Sequence, residues 1–471
     1  MNCFKHLFDF DRFRQTSQPQ ASQSIPQPTS KIRRLQLTGG AIALLMLTTA
    51  CGGTQTTTES PANSDATSTT TASSDGAAAG ALKLGTLLPI TGDLAQYGTT
   101  MQDSVSLLVE SVNACDGVLG SEVTLISEDD QTDPAAGASG MTKLAEVDQV
   151  AGVVGAAGSA VSSAAVDIAV RNEVVQISPS STSPEFTARA EKGEFNGYWF
   201  RTAPPDSFQG DALAQLARDQ GLQNVAVFAI NNDYGNGLVQ AFTDAFKAQG
   251  GTVVNESNPT LYAENATTFD SELSAAFSGN PDGVLLVAYP ETGSLILKSA
   301  FEQGLLDGET KILLTDGMKT NELAELVGRD ADGNYIVSGV LGTAPSATGP
   351  GLEAFKSAYN AKFNREPNVY DPNSWDAAAV MVLAAEAAKA NTGSALKDQI
   401  REVANAPGEE VTDVCQALAL VREGRDINYQ GASGNVDFND QGDVVGAYDI
   451  WTINDNGQLE VQETIEVGGE S

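Results

Sequence analysis

Histidine is all but absent: there is one, His6, in 471 residues. It falls in a leading segment with the character of a cleaved signal, so the mature chain is expected to contain none. That excludes Ser-His-Asp and Cys-His catalysis, histidine acid–base chemistry and histidine-ligated zinc or iron. Basic side chains are also scarce, 26 Lys and Arg against 61 Asp and Glu, a formal net charge of −35. Such a chain repels nucleic acid and anionic membrane surfaces. Neither a G-x-G-x-x-G nor a G-x-x-x-x-G-K-[ST] run occurs, which removes the usual nucleotide fingerprints. There are four cysteines, too few for a disulfide scaffold in a chain of this size.

The N-terminus reads as an export signal. Lys31, Arg33 and Arg34 precede an apolar stretch from Leu35 to Leu47, broken by Gly39 and Gly40. That stretch is shorter than the roughly 20 residues a spanning helix needs, and small residues follow it. Cys51 comes next, and the arrangement resembles a bacterial lipoprotein signal in which the cysteine becomes the lipidated first residue. Residues 1–50 are therefore expected to be the signal. Residues 51–81, rich in Thr, Ser, Ala and Gly, lack the apolar surface to fold and read as a tether. Removing residues 1–50 takes away six basic and two acidic side chains, leaving 20 against 59. Two cysteines remain beyond Cys51, Cys115 and Cys415. In an oxidising compartment they suggest one disulfide; the competing reading is two buried free thiols.

From Leu82 onward, short apolar runs alternate with helical patterns. Leu82–Leu88, Glu122–Glu128, Val150–Val154 and Val174–Ile177 read as strands, with helices such as Thr99–Ala114 between them. Asp133 and Pro134 are a helix cap and first-turn proline. The pattern restarts near Arg201, with strands expected at Asn224–Ile230, Thr252–Asn255, Gly283–Val287 and Lys311–Thr315. A helical block follows Thr343, and the chain ends in strand-like Asn435–Phe438 and Val444–Ile453 around the turn Asn439–Gly442. Alternation of this kind predicts an α/β protein with two parallel sheets covered by helices.

In open parallel sheets, ligands bind at the carboxyl ends of the strands. The runs ending near Val154 and Ile177 would bring Ser159, Ser180, Ser181 and Thr182 to one place, with backbone N–H groups beside them. Neutral donors of this type hold a carboxylate. No nucleophile-plus-base pair accompanies them, so binding is expected rather than catalysis. The competing reading has these hydroxyls capping helix starts.

Six ordered segments carry a family resemblance that covers nearly all of the chain from Leu82. They are L-K-L-G-T-L-L-P-I-T-G (82–92) with A-Q-Y-G (95–98), D-D-Q-T-D-P (129–134), I-S-P-S-S-T-S-P-E-F-T (177–187), N-D-Y-G-N-G (232–237) and Y-Q-G-A-S-G-N-V-D-F-N-D-Q-G-D (429–443). Together they resemble type I periplasmic solute-binding proteins of the leucine/isoleucine/valine-binding branch, which serve ABC transporters. The resemblance implies two Rossmann-like lobes with central parallel sheets, joined by a three-crossing hinge that closes on a ligand; periplasmic binding proteins are a standard example of such closure. The implied partition is 82–203 and 343–430 for lobe 1, and 204–342 and 431–471 for lobe 2.

The same resemblance assigns roles. Ser159, Ser180 and Thr182 match the positions that hold an amino acid's carboxylate. Asp316 and Tyr289 match those that hold its ammonium, with Asp316 one methylene shorter than the Glu expected there. Tyr97 and Tyr234 match aromatic walls of the cleft. Beside each role stands a plainer one: Asp316 as a helix cap, the tyrosines as packing. Glu291 reads mainly as a solvated helix start. Asp437-x-Asn439-x-Gln441-Gly442 faintly resembles a calcium loop, but Tyr448 stands where the last ligand should be, so a hairpin turn is expected.

The expectation is a non-enzymatic, monomeric, lipid-anchored binding protein on the extracytoplasmic (periplasmic) face, without cofactor or metal. It would deliver a neutral or branched-chain amino acid to the permease of an ABC importer. The alternatives are a ligand sensor of the same fold, or a binding protein for urea, amides or aromatic acids.

Overall fold

The computed structural model describes residues 80–306 and 308–467. The signal, Cys51 and most of the tether lie outside the described residues. The first sheet is built from β1 (Lys83–Leu88), β2 (Thr124–Asp129), β3 (Gly152–Gly155), β4 (Val175–Ser178) and β5 (Trp199–Arg201). Its strands are all parallel, in the order β2-β1-β3-β4-β5. β3 and β4 are buried at every position, Gln176 of β4 included, as strands covered by helices on both faces are.

The second sheet takes β6 (Asn224–Ile230), β7 (Thr252–Val253), β8 (Thr260–Tyr262), β9 (Gly283–Val287), β10 (Lys311–Leu314) and β11 (Leu341–Ser346). A separate parallel pair, β12 (Glu409–Val411) and β13 (Ile427–Tyr429), lies between them in sequence and the closing strands β14 (Ala447–Ile453) and β15 (Leu459–Glu466). The order is β15-β14-β11-β10-β9-β6-β7, with β8 also paired to β6. Parallel pairing gives way to antiparallel at β11-β14-β15. The expected two lobes and their doubly covered parallel sheets are therefore present.

Helix starts follow the local chemistry. Asp133 accepts the N–H of Ala136 at 2.7 Å, with Pro134 in the first helical position. Asn232 caps the helix Asp233–Ala248 through the N–H of Gly235 at 3.0 Å.

Three expectations need correction. Leu341–Ser346 pairs along its length with Ala447–Thr452, so the chain leaves the second sheet after Ser346, not at 342/343. The return crossing also comes later than 430/431. Val436, Phe438 and Val444 pack in the core of the first lobe, and the second sheet is regained only at Ala447. Finally, Asn435–Phe438 is not a strand. Asn439–Gly442 does form a turn, with the Asn439 side chain accepting the N–H groups of Gln441 and Asp443. The hairpin lies further on, between Ala447–Ile453 and Leu459–Glu466. Phe438 sits edge-on to Phe200, 5.2 Å between centroids. Its apolar character serves a buried loop.

The late helical block returns to the first lobe. Fifteen of the eighteen residues of the helix Asp371–Ala388 are buried, and it shares a core with Val154, Val175 and Ile177. It approaches β3 so closely that a Cβ at Gly152 would stand 2.8 Å from the sulfur of Met381. A disulfide joins Cys115, at the end of the helix Ala95–Ala114, to Cys415 in the helix Val414–Arg422, 300 residues away in sequence. The two cysteines are thus paired, and they tie the opening helix of the lobe to its last one. No described helix is long and apolar enough to cross a membrane.

Candidate functional site

The carboxyl ends of both sheets converge on one cleft, as parallel strand ends do. From the first lobe come Tyr97 after β1, Ser159 after β3 and Ser180 after β4; from the second come Tyr234 after β6, Tyr289 after β9 and Asp316 after β10. These six line a single cavity, narrowed to about 20 Å3 of room for a water-sized centre. That is the space of about one water molecule, so the lobes stand close together.

Asp316 is the centre of the second lobe's contribution. It is 3% exposed, and both carboxylate oxygens accept phenols: Tyr234 at 2.7 Å and Tyr370 at 2.6 Å. The Tyr97 hydroxyl donates to its backbone carbonyl at 3.2 Å. Burial pushes the Asp316 carboxyl up, and the Tyr370 and Tyr234 donors oppose that. The carboxylate bonds to both phenols, and the Gly317 N–H of the following turn also opposes the rise. No Lys, Arg or His lines the cavity to neutralise it. A buried carboxylate without a cationic partner is costly to ionise and gains strongly from an incoming ammonium.

The tyrosines form two ring pairs. Tyr234 and Tyr289 stack at 5.5 Å with planes 12° apart, while Tyr97 meets Tyr370 edge-on at 6.2 Å. All four are buried, and burial pushes each phenol well above its ordinary value. They therefore stay neutral and keep their hydroxyl protons for hydrogen bonding.

On the opposite wall the helix Ser159–Arg171 begins at the cavity, and its N-cap position, Gly158, offers no side chain to its leading N–H groups. A helix start of this kind, with a neutral hydroxyl beside it, suits an anion. The Ser159 hydroxyl accepts the Ser183 N–H at 3.3 Å and keeps its own proton to donate. Ser180 turns its hydroxyl onto the Ala157 carbonyl at 3.0 Å. Ser178 and Ser181 are likewise bound to the carbonyl of Ala156.

Thr182 is placed differently from the other expected site residues. It does not line the cavity but is fully buried behind it, its carbonyl accepting the N–H of Asp206 at 2.8 Å. Glu291 is exposed in the first turn of the helix Pro290–Glu302. Among the described residues, no cluster of three or more His, Cys, Asp or Glu is arranged to hold a metal.

Several residues at the site had no sequence signal. Tyr370 belongs to the loop before the helix Asp371–Ala388, where nothing distinguishes it from the chain's other tyrosines. Asp206 is fully buried at the first crossing. Burial pushes its carboxyl well up, Asp316 adds to that, and the Thr182 hydroxyl and Arg201 oppose it. Arg201, also fully buried, bonds Asp443 at 2.6 Å and donates to the carbonyls of Ser181 and Ser183 at 3.1 and 2.9 Å. It thereby fixes the loop that carries Ser180.

Residues 100–456 match the family described as the receptor family ligand binding region. Among curated relatives, the substrate-binding protein BasB of a chemotactic signal transduction system from Halobacterium salinarum is 27% identical, covering 82% of this chain and 90% of its own. A Leu/Ile/Val-binding protein homolog from Brucella suis is 28% identical over 69% of this chain and 84% of its own. Among solved structures, the leucine binding protein LivK from Thermotoga maritima superposes with a TM-score of 0.68 at 26% identity, covering 82% of this chain and 99% of that one.

Proposed function

The chain belongs to the receptor family ligand binding regions, among the type I periplasmic solute-binding proteins of the Leu/Ile/Val-binding kind, and on that premise we propose that it captures a neutral, branched-chain-sized L-amino acid. The lobes close on the ligand, and the loaded protein delivers it to an ABC permease. The observation that carries this reading is the pairing of opposite chemistries across one cavity. Asp316, buried without a cation, faces the uncapped helix start at Ser159. An amino acid zwitterion satisfies both ends at once, and the tyrosines cover its side chain.

The roles follow the geometry. Asp316 takes the ammonium, with Tyr234 and Tyr370 orienting its carboxylate. Ser159 and the leading N–H groups of its helix take the carboxylate, with Ser180 beside them. Tyr97, Tyr289 and the apolar side chains of Leu94 and Met101 form the wall around the aliphatic group. Thr182 acts from behind, through the loop it belongs to. The protein performs no chemistry on its cargo. A lipid on Cys51 and the tether would hold it, as a monomer, at the extracytoplasmic face beside its permease.

Calorimetric titration with leucine tests the site. Asp316→Ala should weaken binding by at least about a hundredfold, since it strips the charge that meets the ammonium. Unchanged affinity would remove Asp316 from the site. A ligand with only negative charge, such as an aromatic acid, fits poorly against this carboxylate.

A second reading has one observation in its favour: the relative from Halobacterium salinarum is named for chemotactic signalling. In that reading the same closure would report the amino acid to a signalling partner. Loss of uptake on deletion supports delivery; intact uptake with lost chemotaxis supports sensing.

A further inference from the structure

Asp93 makes a contact that the capture of a ligand does not require. It belongs to the first lobe, in the loop between β1 and the helix Ala95–Ala114. Its carboxylate reaches the second lobe and takes both polar groups of one residue: the Thr292 N–H at 2.9 Å and the Thr292 hydroxyl at 2.7 Å. Thr292 lies in the first turn of the helix Pro290–Glu302. That helix has no side-chain cap from its own N-cap residue, Tyr289, and Pro290 has no N–H to give. The missing cap is supplied from 199 residues away, across the cleft.

The hydrogen bonds and the helix dipole stabilise a carboxylate at a helix N-terminus; at Asp93 burial pushes the carboxyl up, the two Thr292 bonds oppose that, and the Glu291 charge adds to the rise. Here that stabilisation exists only while the lobes are together. Asp93 does not line the ligand cavity; it lies in the groove at the mouth of the cleft, beside Asp133 and Tyr289. It therefore favours closure without touching cargo.

We infer that Asp93 is a closure latch: a cap supplied in trans to the helix Pro290–Glu302 that sets the open–closed balance, and with it the affinity, whatever the ligand. The inference rests on the hinge-closing reading above. A ligand gains affinity in proportion to the share of molecules already competent to hold it. A cap that biases the balance towards closure slows release more than it changes capture.

The test is made first on the ligand-free protein, so that it does not depend on the ligand's identity. Spin labels at Glu122→Cys and Ser278→Cys mark exposed positions at the ends of the two sheets away from the cleft. Their distance distribution by electron–electron resonance reports closure. Asp93→Ala should shift that distribution towards the open separation. Asp93→Asn, which keeps an acceptor for the Thr292 N–H, should fall between. Thr292→Val keeps the N–H contact to Asp93 but removes the hydroxyl contact, together with the bond between that hydroxyl and the Tyr262 phenol within the second lobe, and should give a smaller shift in the same direction. With leucine bound, Asp93→Ala should release it about tenfold faster while the association rate stays within about twofold. Identical distributions in the wild type and Asp93→Ala would overturn the latch. If no amino acid binds, the ligand assignment fails, but the ligand-free distances still decide the latch.

Discussion

The Tyr370 hydroxyl donates to the Asp316 carboxylate at 2.6 Å, and the two residues come from different lobes. Tyr370 precedes the buried helix of the first lobe; Asp316 opens the turn that follows the strand Lys311–Leu314 of the second. Closing the cleft thus delivers a neutral donor to the carboxylate that lacks a cation. With Tyr234 on the other oxygen at 2.7 Å, the carboxylate is held in one orientation. Tyr370→Phe should keep the aromatic wall but lose that orientation, weakening amino-acid binding by about three- to tenfold. Tyr370→Ala should cost more, because the wall is lost too. Calorimetric titration of both variants separates the hydroxyl from the ring.

The Arg201–Asp443 pair is buried at both ends, with side chains 0% and 4% exposed. Breaking such a pair by removing one partner leaves an uncompensated charge, at a cost of about 3–5 kcal/mol. Asp443→Asn should therefore lower stability to denaturant strongly. Because Arg201 also holds the carbonyls of Ser181 and Ser183, it should weaken binding as well. A variant that loses neither would remove Arg201 from its positioning role.

Cys115 and Cys415 close a loop of about 300 residues. The chain-entropy account puts a loop this long at about 5–6 kcal/mol, while disulfides typically deliver about 2–4 kcal/mol. Reduction, or the paired change of both cysteines to alanine, should lower the unfolding temperature by several degrees. Binding should change little, since both cysteines are remote from the cavity. Denatured, unreduced protein lacking Cys51 should titrate no free thiol in this pair.

Acid should stabilise the fold. Burial pushes the carboxyls of Asp130 and Asp371 up to about 7, and that of Asp376 to about 6. Each binds its proton more tightly folded than unfolded, where the ordinary value is 3.8. Their contribution is thus complete below the unfolded value and is lost as pH rises through the folded one. Unfolding temperature should rise by a few degrees between pH 8 and pH 5.5. Asp371→Asn should raise it at pH 8 and flatten that dependence. A flat profile in the wild type would contradict this.

Much of this was legible because buried parallel strands announce themselves. The run Val150–Val154 is apolar throughout and Val174–Ile177 is broken only by Gln176, and the small and hydroxyl residues after them mark strand ends. Tyr234 is legible through the N-D-Y-G-N-G segment that carries part of the family resemblance. Sequence does not say which of the four neighbouring hydroxyls after β4 lines the cavity: Ser180 does, while Thr182 lies buried beside Asp206. Tyr370 and Asp206 carry no local signal: Asp206 sits at the first crossing and Tyr370 in the loop before the helix Asp371–Ala388. Their meaning depends on which distant strand end lies opposite. The final crossing is hard to place from sequence because Val436, Phe438 and Val444 are apolar like the strand that follows, yet they pack in the core of the first lobe.

The most direct test of the account is a thermal-shift panel of L-amino acids, short amides, urea and aromatic carboxylic acids on the purified protein. Ligand at a thousandfold over its dissociation constant should add about 4 kcal/mol of stability, a readily measured shift. The account predicts stabilisation by neutral aliphatic L-amino acids, lost in Asp316→Ala. Stabilisation by aromatic carboxylates or urea, with no response to any amino acid, would contradict it.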